Sequence, residues 1–274
     1  NTAAFGLSMK NPDLNETDLF LSELAREYIG VEDGAGFIKS VQAIEGAFDC
    51  YPLSNKMIYF GPVNFALALP MDDSPLKGTP ITNSFLQMER GDKWEDSLGP
   101  FTLDEVIARF DAMSGKLRPA LRLLESVLFP TRSPFNTRLI EYKGTPLIPR
   151  NADRLSDIEM AETMRFHLPE EVFQELPELQ GVHGFRRLQE WCNAGFILGC
   201  VESATRVFKA FRIKRSCKPG WKGEMHQLRL EERQTIEMVL PLLRMDARLG
   251  LHLECQQYFI TSEILERKLR DLDE

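Results

Sequence analysis

The chain is a succession of amphipathic segments, many opened by a capping residue and closed by glycine or proline, and this punctuation constrains its fold more than any other feature. Asn15, with Asp18 three positions on, opens a helix through Phe20, Leu21, Leu24, Ala25 and Tyr28 that stops at Gly30. Phe37, Ile38, Val41, Ile44, Phe48 and Tyr51 then recur at three- and four-residue spacing up to Pro52. A second helix can therefore lay its stripe on the first as an antiparallel hairpin. Thr102-Leu-Asp-Glu105 and Ser156-Asp-Ile-Glu159 are capping boxes, in which hydroxyl and carboxylate reciprocally satisfy free helix amides. The first opens a helix through Val106, Ile107, Phe110 and Met113, and Pro119 starts or kinks its continuation. Pro169-Glu-Glu predicts a short proline-first helix.

The longest stripe, Phe185, Leu188, Trp191, Ile197, Val201, Ala204, Phe208 and Phe211, predicts a helix over residues 184–213 as the spine of a bundle. Gly195 and Gly199, four apart on it, permit close helix contact. Past Pro219-Gly220, a helix kinked near Pro241 runs to a stop at Gly250, and Thr261 caps a final helix with Leu265, Leu269 and Leu272 facing inward. The expectation is a mainly α fold, one helical domain over 1–274 built as a bundle of about seven to nine helices. Residues 1–14 read as a linker or the end of an upstream barrel. Prolines and glycines break the helical period over 61–101, and residues 130–153 are also irregular. Phe65, Leu67, Leu69, Phe85 and Trp94 favour an ordered covering loop for the first of these stretches.

A chain of 274 residues with 43% hydrophobic content can bury a full core without disulfides or metals. Its formal charge of −8 argues against general nucleic-acid binding, which relies on cations neutralising phosphates. The basic run from Lys209 to Lys222, "KAFRIKRSCKPGWK", reads as the cationic end of a helix rather than a phosphate contact. Five widely spaced cysteines, none in a CxxC pair, indicate free thiols. No apolar run approaches the ~18 residues of a membrane span, and no signal peptide is read. Starting at Asn1 and ending on a charged helix, the chain reads as a processed product or an excised piece, which leaves its compartment open.

Chemistry is sparse. His167, His183, His226 and His252 are never three or four residues from one another, so neither a metal site nor a cofactor is expected. The sequence holds no GxSxG, Walker or Rossmann pattern. The adjacent carboxylates Asp72-Asp73, Glu170-Glu171 and Glu231-Glu232 read as solvated faces or first turns of helices.

Two stretches resemble a known group. "NPDLNETDLFLSELAREYIG", with the following "FDCYPLSNKMIYFGPVNFALALP", is similar to the region just after the catalytic barrel in large bacterial glycoside-hydrolase-like proteins, the group of β-hexosaminidase and α-glucuronidase-type barrels. The C-terminal "RMDARLGLHLECQQYFITSEILERKLRDLDE" resembles the same proteins through Asp246, Arg248, Leu249, Gly250, Glu254 and Tyr258. The resemblance covers about a third of the chain. It implies a non-catalytic helical C-terminal domain of a carbohydrate-active protein, partnered by an upstream barrel that supplies acid and nucleophile, and it assigns no catalytic residue here.

Physically, the Asp246–Tyr258 motif, which includes His252, reads as a structural pin. Gly250 takes the left-handed conformation that ends a helix, and Asp246 and Arg248 bind neighbouring chain. The loop from Tyr59 to Trp94 is the candidate for rimming a sugar site. Trp94 offers a face to stack on a pyranose, Asn64 a donor and an acceptor, and Asp92 two hydroxyl hydrogen bonds. The alternative is that Trp94 anchors its own loop. Two rival functions remain: an autonomous protein-interaction module, which predicts a groove at helix spacing, and a small-ligand enzyme using Arg248, His252 and Glu254, which predicts an enclosed pocket.

Overall fold

The computed structural model describes residues 17–54, 57, 66–69, 71, 98–216, 219–252, 257–258 and 260–273. Among them are eight α-helices: α1 (Thr17–Tyr28), α2 (Gly34–Phe48), α3 (Leu103–Leu128), α4 (Asp157–His167), α5 (Glu170–Glu175), α6 (Gly181–Ser216), α7 (Trp221–Met245) and α8 (Ser262–Asp273). One two-residue hairpin, β1 (Leu251–His252) and β2 (Gln257–Tyr258), pairs antiparallel with Leu251 opposite Tyr258. The mainly α bundle expected from the sequence is therefore found. No helix among the described residues is long and apolar enough to cross a membrane.

Local chemistry sets the helix starts. The Thr102 amide donates to Glu105 Oε2 at 2.7 Å while the Glu105 amide donates to Thr102 Oγ1 at 3.2 Å, closing the box that opens α3. Ser156 and Glu159 do the same for α4. Pro119 sits within a continuous α3 and Pro241 within a continuous α7. Pro169 caps α5 from outside instead of occupying its first turn. Residues 130–153 contain 3-10 turns at Pro134–Asn136 and Arg138–Glu141, with a third at Ala152–Arg154, and no longer element.

The chain divides into two compact units. The first comprises residues 1–46, 116–195 and 244–247. Its core forms around Trp191, wholly buried, with the Phe135 ring at 4.8 Å and the Phe129 ring edge-on at 6.2 Å. The indole N–H donates to Glu125 Oε2 at 2.9 Å, so the largest core side chain leaves no unmet donor. Met160 and Met164 anchor α4, and Val172 and Phe173 anchor α5. Around Asp246, the Ile148 amide donates to the Met245 carbonyl and the Ala247 amide to the Ile148 carbonyl, both at 2.8 Å, forming an isolated parallel bridge.

The second unit comprises residues 47–115, 196–243 and 248–274. Phe110 stacks on Phe208 at 5.8 Å, and Tyr51 meets Phe110 edge-on at 5.7 Å. Burial pushes the Tyr51 phenol up to about 12. Gly199 lets α6 approach α7 closely: a Cβ there would lie 2.2 Å from Val239 Cγ2. Gly250 has φ +78°, the left-handed conformation expected of it. It does not end α7, which stops at Met245, but introduces the hairpin, where a Cβ would fall 2.2 Å from the Ile260 carbonyl oxygen. Thr261 opens α8, its hydroxyl accepting from the Ile264 amide at 3.4 Å.

Candidate functional site

Two features concentrate polar chemistry. The first is a buried charge network in the second unit. Glu232 on α7 is completely buried, and Glu202 and Arg206 on α6 and Lys268 on α8 are nearly so. The Lys268 ammonium pairs with Glu232 Oε1 and donates to the Ala66 carbonyl at 3.2 Å. Arg206 reaches the other Glu232 oxygen at 3.0 Å and Glu202 Oε2 at 3.3 Å. Ser203 donates to Glu232 at 2.5 Å and Thr235 to Glu202 at 2.8 Å, with Ser114 Oγ 3.5 Å from the other Glu202 oxygen.

These four side chains carry two negative and two positive charges, so the cluster is formally neutral. Burial alone would raise the Glu232 carboxyl. The charges of Lys268 and Arg206, with hydrogen bonds from Lys268 and Ser203, outweigh burial and hold it below the usual carboxylate range. Burial draws Lys268 below the ordinary lysine value, opposed by Glu232 and reinforced by Arg206. Nearby, Cys200 is pushed up to about 12 by burial and then by the Glu232 charge, which keeps it a thiol at neutral pH. A buried network of this kind ties the helices that carry it together.

The adjacent pair Glu231-Glu232 is thus not a solvated face: Glu231 stands half exposed, 3.7 Å from Arg206, while Glu232 is inside. Successive helical residues lie about 100° apart, so one of a pair can enter the core. The signal was present, because Glu232 falls four residues after Leu228 and four before Ile236 on the buried stripe of α7. Lys268 likewise interrupts the α8 stripe three residues after Leu265.

The second feature is a groove in the first unit, a cavity of about 660 Å³. One wall is α4, contributing Ile158, Ala161, Glu162 and Arg165, residues at i, i+3, i+4 and i+7 and hence one face of the helix. Glu170 and Phe173 of α5, with Gln180, Gly181 and Val182 at the start of α6, complete the lining. Ile158 is 63% exposed, and Phe166, one residue past Arg165, is 84% exposed. The Ser156–Glu159 box positions this surface. It is fixed in turn by Arg186, whose guanidinium pairs with Asp157 and lies 3.7 Å over the Tyr28 ring.

Of the residues singled out in the sequence, Asn64, Asp92, Trp94 and Glu254 lie outside the described residues, as does the side chain of His252. The backbone of His252 belongs to β1, and Tyr258 is half-buried in β2. Asp246 is fully buried at its bridge to Ile148. His183 Nε2 lies 3.2 Å from the Glu27 carbonyl, and the His167 ring lies edge-on to Phe166. Among the described residues, no three His, Cys, Asp or Glu side chains are grouped to hold a metal ion. Lys209 and Arg212, from the basic run, pair with Asp111 and Asp104.

No family model matches the chain, and neither a curated protein nor a solved structure matches it.

Proposed function

We propose that this chain is a non-catalytic helical domain of a carbohydrate-active, glycoside-hydrolase-like protein, packing on a catalytic barrel in the same polypeptide and contributing to its rim. The observation that carries the non-catalytic part is the closure of the interior charges. Glu202, Arg206, Glu232 and Lys268 neutralise and hydrogen-bond one another, as expected of groups that hold a fold rather than act on a ligand. The family part rests on the sequence resemblance around residues 11–30, 48–70 and 244–274. The pinned backbone at Asp246 and the left-handed Gly250 give the last of these stretches a structural purpose. A second reading, a protein-interaction module, is favoured by the groove at helix spacing along α4.

The test compares hydrolysis of a panel of p-nitrophenyl glycosides by the isolated chain and by the product of its whole reading frame. The isolated chain is expected to be inert and the longer protein active. Hydrolysis by the isolated chain, or a reading frame encoding no barrel with paired carboxylates, would overturn the proposal.

A further inference from the structure

We infer that α8 is a hinged strap, pivoting at Ile260–Thr261 and latched by Lys268 on Glu232, whose opening uncovers the apolar cluster shared by α6 and α7. The device lies wholly within the second unit and stands apart from the domain reading above. The pivot is set by where the chain is fixed. Ile260 is almost wholly buried, and its carbonyl occupies the place a Cβ on Gly250 would need, 2.2 Å away. Directly after it α8 begins afresh. The Thr261 hydroxyl accepts from the Ile264 amide, and the Thr261 carbonyl accepts from the Leu265 amide at 3.1 Å. Lys268 lies seven residues beyond Thr261, about 10 Å along the helix axis.

Beneath the strap the surface is apolar. Ala204, Val207, Ala210 and Ile213 of α6 join Met225 and Leu228 of α7 in one buried cluster, against which Leu272 of α8 packs. Ala66 belongs to the same cluster, and its carbonyl takes the Lys268 hydrogen bond at 3.2 Å. On α8 itself Leu265 is buried, while Ile264, Leu269 and Leu272 are only half-buried. The seat of the helix therefore depends on its buried ammonium, which is tolerated inside only while a carboxylate balances it.

The charge of Glu232 therefore decides whether the latch holds. From α6 it faces Arg206, Ser203 and the Cys200 thiol, and from α8 it faces Lys268. With Glu232 neutral, the interior keeps the Glu202 carboxylate against two cations, and Glu202 is bonded to Arg206 at 3.3 Å. Glu231 meets Arg206 from its half-exposed position. Lys268 is then left, among the described residues, with the Ala66 carbonyl and no balancing charge. Swinging α8 outward hydrates the ammonium. Helices α6 and α7 stay together, because their close approach at Gly199 and Val239 does not involve α8.

Hydrogen exchange with mass spectrometry on the whole chain tests this, with rates corrected for the intrinsic effect of pH. Glu232→Gln, which mimics the neutral carboxyl, should speed exchange in α8 about tenfold or more at neutral pH while changing α6 and α7 residues 196–243 by less than about threefold. The unsubstituted protein should show the same selective loss in α8 as pH falls below the ordinary carboxylate range, since Glu232 is held below it. Lys268→Met with Glu232→Leu, which removes both charges, should restore α8 protection at neutral pH and abolish its acid step. Loss of protection in α6, α7 and α8 together would overturn the inference, because the ion pair would then serve the whole unit rather than a strap. Unchanged α8 exchange in Glu232→Gln, or an acid step that persists in the double variant, would overturn it equally. The acid series of the unsubstituted protein decides the matter even if Glu232→Gln does not fold.

Discussion

Replacing Lys268 by methionine removes a buried cation while keeping its approximate volume, and it tests whether α8 is held by charge or by its apolar stripe. Of the α8 side chains described, only Leu265 and Lys268 are buried. In Lys268→Met the Ala66 carbonyl loses its 3.2 Å donor, and the fully buried Glu232 loses one of its two cations but keeps Arg206 and Ser203. Breaking a buried pair from one side costs about 3–5 kcal/mol. The surviving partners place this loss near the low end, about 3 kcal/mol. Glu232→Leu leaves Lys268, among the described residues, with only the Ala66 carbonyl, a loss of about 4 kcal/mol. The double variant removes both charges together and leaves Arg206 with Glu202 at 3.3 Å and Glu231 at 3.7 Å. It should therefore be more stable than either single variant by about 2 kcal/mol or more. Urea unfolding of the four proteins, followed by far-UV circular dichroism, measures the cycle. Simple addition of the two losses in the double variant would refute the reasoning, since the two sites would then not be coupled. The pH dependence carries a sign. The Glu232 carboxyl is depressed in the folded state, so its contribution is present above the ordinary carboxylate range and is lost as pH falls through the lower folded value.

Three further outcomes are expected. Iodoacetamide at mildly alkaline pH should label the half-exposed Cys50 and spare Cys200, whose thiol is buried and raised to about 12; peptide mass mapping reads this, and equal labelling would refute the burial argument. Gly250→Ala should destabilise the protein by about 1–3 kcal/mol and raise amide exchange across the hairpin, because φ +78° disfavours a Cβ and the Ile260 carbonyl occupies its place. Ser156→Ala should lower thermal stability by about 1 kcal/mol. In the same variant the Glu159 carboxyl, held down first by the Ser156 amide and then by its hydroxyl, should move back up toward the ordinary value in an NMR titration.

Helix boundaries were legible because their causes are local. The boxes at Thr102 and Ser156, the Thr261 cap and the breaks at Gly30 and Pro219-Gly220 act within four residues of chain, and each lies at or beside a helix terminus. The candidate sites were less legible. The candidate sugar site read from the sequence was Asn64, Asp92 and Trp94 on the loop from Tyr59 to Trp94, and these three residues lie outside the described residues. The groove draws on three helices, so its α4 stripe could be read from spacing but its other walls could not.

What the sequence determined by itself was the helical class and the phase of each stripe; it did not single out the charges that interrupt them, Glu202 and Arg206 on α6, Glu232 on α7 and Lys268 on α8, and it placed Glu232 with Glu231 on a solvated face or first turn. What only the tertiary structure decided was their fate. A charge on an apolar stripe is ruinous alone and tolerated when paired, and the partners of Glu232 lie 26, 29 and 36 residues away along the chain. Pairing at that separation depends on how helices pack, which no local propensity encodes.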